Sequence, residues 1–273
     1  MLKDFDLRAS KNEGNFPKDF ESFGYWIAGL MESDGCFGKS QWTITAEIRD
    51  WAMLENIAAL IGGKVYAIKG TNGCELRVFR QKDITLLFHL CIGKLRDPRK
   101  QFMMLRILNS TPSLSYLLEA VLPVDESKNL HKTHWLSGFT TGDGCFLVLA
   151  RLIQTIFGRP AYRRVQLRLE VTQKKRFLLD QISEAFGGNV HYKPTTDSYS
   201  YHSSSIGVAT KLVNYFDNYS LCGMKFVNYQ KWRSVWTLML SKQHLTDEGF
   251  AKIVEIRQNM NDGKAKPIIF KAK

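Results

Sequence analysis

The sequence has no cysteine pair at C-x-x-C spacing; its five cysteines (Cys36, Cys74, Cys91, Cys145 and Cys222) are scattered and odd in number. That excludes a disulfide framework and a structural zinc site, and it fits a reducing compartment. No apolar run approaches the ~18 residues that a membrane-spanning helix needs. The opening Met1-Leu-Lys-Asp-Phe-Asp puts acids where a secretory signal needs a basic start and an apolar stretch, so secretion is not expected. Acids are scarce overall, with 26 Asp+Glu against 38 Lys+Arg and a formal net charge of +12 over 273 residues. A field of that sign attracts polyanions, of which nucleic acid is the commonest. The rest is ordinary for a folded protein. Hydrophobic residues at 44% and charged residues at 23% exclude a mainly disordered chain, and the length suits one large domain or two modest ones.

What is present is an internal repeat. Trp26-Ile-Ala-Gly-Leu-Met-Glu-Ser-Asp-Gly-Cys-Phe37 returns 109 residues later as Trp135-Leu-Ser-Gly-Phe-Thr-Thr-Gly-Asp-Gly-Cys-Phe146, identical at six of twelve positions. Leu54…Ile61-Gly-Gly-Lys-Val65 is answered by Leu179…Phe186-Gly-Gly-Asn-Val190 at an offset of 125, and Gly93-Lys94 by Met224-Lys225 at 131. The matches keep their order, so the chain is a duplicated unit. Its boundaries read as a first copy over 15–108, a Pro- and Ser-containing linker over 109–132, a second copy over 133–262 and a Lys-rich tail over 263–273.

Each copy reads as αββαββα, an α+β fold made twice. A helix over Phe20–Ser33 ends at Gly35. Thr43–Arg49 and Val165–Thr172 alternate apolar and polar residues, the pattern of half-buried antiparallel strands. Helices over Trp51–Leu60 and Phe177–Phe186 each close on Gly-Gly. Second hairpins follow, Lys64–Ile68 with Glu75–Arg80 and Asn189–Lys193 with Tyr199–Ile206. Trp26, Trp135, Phe37 and Phe146 are expected in the core, with Cys36 and Cys145 as small buried packing residues.

The chemistry lies in Asp34 and Asp143, one at the C-terminal end of each repeat's first helix. A carboxylate there meets the negative end of the helix dipole and calls for a compensating cation. Ala28, Gly29 and Ser33, then Ser137, Gly138 and Gly142, put small residues at helical spacing ahead of each aspartate. Small side chains let two helices approach closely, which would bring both carboxylates to one end of a helix pair. Two such carboxylates repel unless a divalent cation lies with them, and few oxygen ligands suit Mg2+.

The segments Ile27–Gly35 and Leu136–Gly144 resemble the signature of the LAGLIDADG homing endonucleases, and the likeness extends over about 20–261. Two signatures roughly a hundred residues apart resemble the single-chain class, whose monomers imitate a homodimer. The resemblance implies two pseudo-symmetric halves, each with a saddle-shaped antiparallel sheet carrying helices on one face, joined by a central interface of the two signature helices. It implies site-specific cleavage of one phosphodiester on each strand of a long, asymmetric double-stranded DNA target. Asp34 and Asp143 would hold the metal with the backbone carbonyls of Ser33 and Gly142. Mg2+ is the expected ion, with Mn2+ or Ca2+ able to replace it for binding. Glu32 and Thr141 stand where the consensus has its first acid, a position the family does not need for metal.

A lysine near each scissile phosphate would stabilise charge growing there; the repeat nominates Lys94 and Lys225. Gln173 resembles a water-positioning polar residue of the family, with Arg49 or Asp50 its counterpart in the first copy. Polar strand faces would read the major groove. The candidates are Lys39, Gln41, Thr43, Thr45, Glu47, Lys69, Glu75 and Arg77, then Arg151, Gln154, Arg164, Gln166, Arg168, Glu170, Lys193, Tyr199 and Tyr201. The long second-copy segment Leu147–Arg164, against the short Gly38–Gln41, predicts a further reach along DNA for the second half. By resemblance the protein is a monomer acting in an organelle, mitochondrion or chloroplast. An intron RNA-binding maturase on the same scaffold is the alternative reading.

Overall fold

A computed structural model describes residues 15–153 and 162–261. It divides into two compact units: one runs to Asp143 and takes in Phe216–Lys225, the other holds Gly144–Tyr215 and continues from Phe226. Among the described residues no helix is long and apolar enough to cross a membrane.

In the first unit α1 (Phe20–Ser33) starts on Asp19, whose carboxylate accepts the Ser22 N–H at 2.8 Å. The chain continues through β1 (Gly35–Phe37), β2 (Trp42–Glu47), α2 (Trp51–Ile61), β3 (Lys64–Ala67), β4 (Gly73–Val78), α3 (Gln81–Cys91) and α4 (Pro98–Asn109). The antiparallel sheet has the order β1-β2-β4-β3. Trp42, Ile44, Cys74, Leu76 and Val78 share its buried face, which α2 covers with Leu54 and Ile57. Gly62 and Gly63 leave α2 at φ +85° and +95°, a region that L side chains avoid.

Helix α5 (Trp135–Asp143) packs lengthwise on α1 within this unit. A Cβ on Gly138 would strike the Trp26 carbonyl, and one on Gly29 the backbone of Trp135 and Phe139. The small-residue pattern therefore does what its spacing predicts: it lets two backbones touch. Trp26 and Trp135 are fully buried on either side of the seam. Residues 110–132 lie packed against the unit. Leu114, Leu117 and Leu130 are buried, and the buried Arg96 guanidinium donates to Asp125 Oδ2 at 2.7 Å and to the Ser127 carbonyl at 2.9 Å.

The second unit repeats the sheet as β5 (Gly144–Ile153), β6 (Tyr162–Gln173), β8 (Ser198–His202) and β7 (Asn189–Lys193), with α6 (Phe177–Phe186) against it. Then come α7 (Ile206–Asn218), α8 (Gly223–Leu240) and α9 (Asp247–Gln258), which packs on β5. Phe146 centres the core, its ring 5.4 Å from Trp232 and 5.5 Å from Tyr229. β5 and β6 pair over ten positions where β1 and β2 pair over three, matching the long and short hairpins of the two copies.

Several boundaries differ from the sequence reading. β2 ends at Glu47 and β4 at Val78. β8 ends at His202, and Ile206 opens α7, because Ser205 Oγ accepts the Val208 N–H at 3.1 Å and caps a helix there. Cys36 is exposed and Cys145 half-buried, since the ladder pairs them with the polar-face residues Thr43 and Glu170.

Candidate active site

The end of the α1–α5 pair brings the two signature segments together. Ser33 Oγ and Asp34 Oδ2 fill the space where a Gly142 side chain would stand, so glycine is required immediately before Asp143. Burial and then the Asp143 carboxylate push the Asp34 carboxyl up to about 6, while Lys225 and Lys100 pull it down. The donors are all oxygens, two like charges share one half-buried end, and ammonium groups flank them. That set fits a hard divalent cation. Among the described residues no group of three or more His, Cys, Asp or Glu is placed to hold a metal, so two carboxylates would leave most of the shell to water and phosphate.

Of the two nominated lysines, one lies at the aspartates and one does not. Lys225 reaches the site: its Nζ donates to the Gly142 carbonyl at 3.2 Å. That carbonyl, nominated as a metal ligand, thus carries an ammonium. Lys94 does not reach it. Its Nζ pairs with Glu21 at 3.2 Å and its stem covers Gly24, near the start of α1. Thirteen residues of helix, about 20 Å, separate Glu21 from Asp34. The first-copy lysine at the aspartates is Lys100, in the first turn of α4, donating to the carbonyls of Gly35 at 2.6 Å and Met31 at 3.2 Å. Burial lowers its ammonium pKa, against the pull of Cys36, Glu32, Asp143 and Asp97. Lys100 precedes Lys225 by 125 residues, the offset of the Gly-Gly pairs, so the signal was in the sequence.

Gln173 ends β6, half-buried and facing Tyr199 across the ladder. Gly144 pairs with Val171 and Gly35 with Ile44, so the ladder counterpart of Gln173 is Ala46, and neither Arg49 nor Asp50. The insertion between the copies had hidden this. Arg49 lies in the turn after β2 with Nε and Nη2 each 2.7 Å from the Glu47 carboxylate. Asp50 accepts the Met224 N–H at 2.7 Å.

On the first sheet Thr43, Thr45, Glu47, Glu75 and Arg77 share the polar face as expected, and Lys39 and Lys69 stand exposed in turns, with Gln41 half-buried. Lys64 and Tyr66 join this face, the Arg77 guanidinium lying 4.7 Å over the Tyr66 ring. On the second sheet Arg151, Arg164, Gln166, Arg168, Glu170 and Lys193 share a face; Gln154 and the 158–160 tip lie outside the described residues. Tyr199 and Tyr201 are corrections. Pairing of Val171 with Tyr201 turns both tyrosines to the opposite face, where Tyr201 is buried and donates to the Gly187 carbonyl at 2.7 Å. Ser200, His202 and His191 take the polar face instead. A strand that alternates Tyr with Ser and His does not reveal which parity faces inward, and that is why they were missed. The three candidate glutamates are each held by a neighbouring cation: Glu47 by Arg49, Glu75 by Arg77 and Glu170 by Lys193 at 2.6 Å.

The profile of the family described as LAGLIDADG endonuclease matches residues 136–236. The "uncharacterized cox1 intron-2 37.2 kDa protein" of Schizosaccharomyces pombe is 32% identical over 250 residues, spanning 90% of this chain and 76% of that one. The "intron-encoded RNA maturase bI4" of Saccharomyces cerevisiae is 26% identical over 65% of this chain, which covers only 26% of its length. Among solved structures, the LAGLIDADG meganuclease I-AabMI bound to uncleaved DNA superposes with TM-score 0.68 at 25% identity, over 88% of this chain and 99% of that one. I-SmaMI, bound to uncleaved DNA in the presence of calcium ions, shares the fold at TM-score 0.65 and 18% identity, over 87% and 98% of the two chains. With twin signature helices seamed through glycine, a sheet order used twice and these likenesses across most of its length, the chain belongs to the LAGLIDADG endonuclease family.

Proposed function

We propose that this chain is a site-specific, double-strand DNA endonuclease that hydrolyses one phosphodiester on each strand of a long, asymmetric target with divalent metal, acting as a monomer. The observation that carries the reading is the meeting of Asp34, Asp143, Lys100 and Lys225 at one end of the α1–α5 pair. Asp34 and Asp143 would hold Mg2+, with Mn2+ or Ca2+ able to replace it for binding. When bound, the metal supplies an activated water, a shielded phosphate and a stabilised leaving 3′-oxygen. Lys100 and Lys225 set a fixed cation beside each aspartate, where negative charge grows on the scissile phosphate. Gln173 orients water in the second copy. The basic field draws in the duplex, and the polar sheet faces supply groove contacts, with the longer second sheet reaching further. I-AabMI bound to DNA and I-SmaMI bound to DNA in the presence of calcium ions support the polyanion and the ion class, and the cox1-intron relative supports a mitochondrial location.

The test is cleavage of a selected target duplex with Mg2+ by the wild-type chain, Asp34→Asn and Asp143→Asn. Each substitution should abolish cutting by the site it serves while DNA binding persists; full activity in both variants refutes the reading. The likeness to RNA maturase bI4 favours a second reading, an intron RNA-binding splicing cofactor. Tight binding of the host intron RNA with no nicking of any DNA would establish that one instead.

A further inference from the structure

Each lysine at the site stands in the first turn of a helix, and that turn is held from behind by a signature-helix side chain. Glu32 accepts the Arg96 N–H at 2.7 Å and also the Asp97 N–H, immediately before α4 and Lys100. Thr141, which occupies the same place in the second signature, accepts the Cys222 N–H immediately before α8 and Lys225, at 3.5 Å. The second anchor is a single hydroxyl at the outer limit of a hydrogen bond, where the first is a carboxyl that accepts at short range. Asp50 makes up the difference. Its Oδ1 accepts the Met224 N–H at 2.7 Å, one residue before Lys225. Gly223, at φ +61°, lies so close to Asp50 Oδ1 that no Cβ could be added. An anion also suits the positive end of the α8 dipole.

We infer that Asp50 is a positioning residue for Lys225: a carboxylate from the turn between β2 and α2 of the first copy fixes the opening turn of α8 and so sets the Lys225 ammonium beside Gly142 and Asp143. The Asp50 carboxylate supplies the short bond that the Thr141 hydroxyl does not. Asp50 therefore acts on the backbone that carries a lysine, and its bonded oxygen is not available to orient water. The consequence for cutting rests on the endonuclease reading; the anchor itself does not.

Two measurements on the full chain test this, with Asp50→Ala and Asp50→Asn. Asn keeps a carbonyl oxygen for the Met224 N–H; Ala does not. By amide hydrogen exchange, the 222–226 segment should open roughly tenfold faster in Asp50→Ala and stay near wild type in Asp50→Asn. On an end-labelled duplex, Asp50→Ala should slow one strand's cut by roughly tenfold or more, the same strand slowed by Lys225→Ala, and change the other by less than about twofold. Asp50→Asn should restore most of the lost rate. Unchanged exchange in Asp50→Ala overturns the anchor. Equal slowing of both strands, or Asn as damaging as Ala, overturns the link to Lys225. A wild-type chain that cuts neither strand overturns the endonuclease reading and the strand effect with it, and exchange at 222–226 still decides the anchor.

Discussion

The Glu32 carboxylate accepts a 2.6 Å hydrogen bond from the Trp135 indole N–H, tying the end of α1 to the start of α5 through a buried acid. Burial pushes this carboxyl up to about 7, while the donors at Asp97, Trp135 and Arg96 work the other way. Its removal orphans three N–H groups at once. Glu32→Ala is expected to cost about 2–4 kcal/mol, and Glu32→Gln about 1–2 kcal/mol because its amide turns a donor toward another donor. Urea unfolding measures both; wild-type stability in Glu32→Ala would show that the junction is held by packing alone.

Lys100 and Lys94 should part company when each is replaced. Lys100→Ala removes a cation beside Asp34 and is expected to cost about 2–4 kcal/mol in the rate of one strand's cut, with the fold intact. Lys94→Ala loses a stem packed on Gly24 and a pairing with the exposed Glu21, which should lower stability slightly and leave cutting in place. Strand-resolved rates and thermal midpoints on both variants check this. A cleavage defect in Lys94→Ala with normal cutting by Lys100→Ala would restore the assignment first made from the repeat.

Divalent ions should stabilise the folded chain without any DNA. Two like-charged carboxylates at one helix-pair end bind the ion only when folded, so the midpoint rises with ion concentration by mass action. Addition of Ca2+ at about 100 times its dissociation constant corresponds to roughly 2.7 kcal/mol. Asp34→Asn and Asp143→Asn should each reduce that increment, read by differential scanning fluorimetry. An equal rise in all three proteins would place the ion elsewhere.

Glu170 gives the second unit an acid-sensitive contact. Burial opposes its ionisation, but the Lys193 ammonium, His202 and Ser200 outweigh it and hold the carboxyl below its ordinary 4.5. A depressed folded pKa contributes stability that is present above the unfolded value and is lost as pH falls through the folded one. The stability gap between wild type and Glu170→Gln should therefore be widest near neutrality and close as pH falls below about 4.5. Thermal melts from about pH 7 to about pH 3 would show it, and a constant gap would refute the pairing.

The signature segments could be read because their features are local. The span of helix α1 follows from the residues ahead of Gly35, and the Gly29 and Gly138 seam from the spacing of small residues, while the Asp19 cap of α1 was supplied by the structure. The inward parity was legible in β6, where apolar residues hold one parity, and not in β8, where tyrosines alternate with Ser and His and every side chain carries a polar group. Lys94 follows from the match of Gly93-Lys94 with Met224-Lys225 at offset 131, whereas the lysine near Asp34 is Lys100, at the Gly-Gly offset of 125.

The sequence by itself determined the duplication, the α+β order of each copy and the two aspartates, since these rest on periodicity, capping and turn chemistry within a few residues. Only the tertiary structure decided which lysine meets Asp34, which face Tyr201 takes and which carboxylate holds the turn before Lys225. Those depend on contacts between residues far apart in the chain. Asp50 and Met224 are 174 residues apart, and no local pattern encodes a hydrogen bond across such a separation.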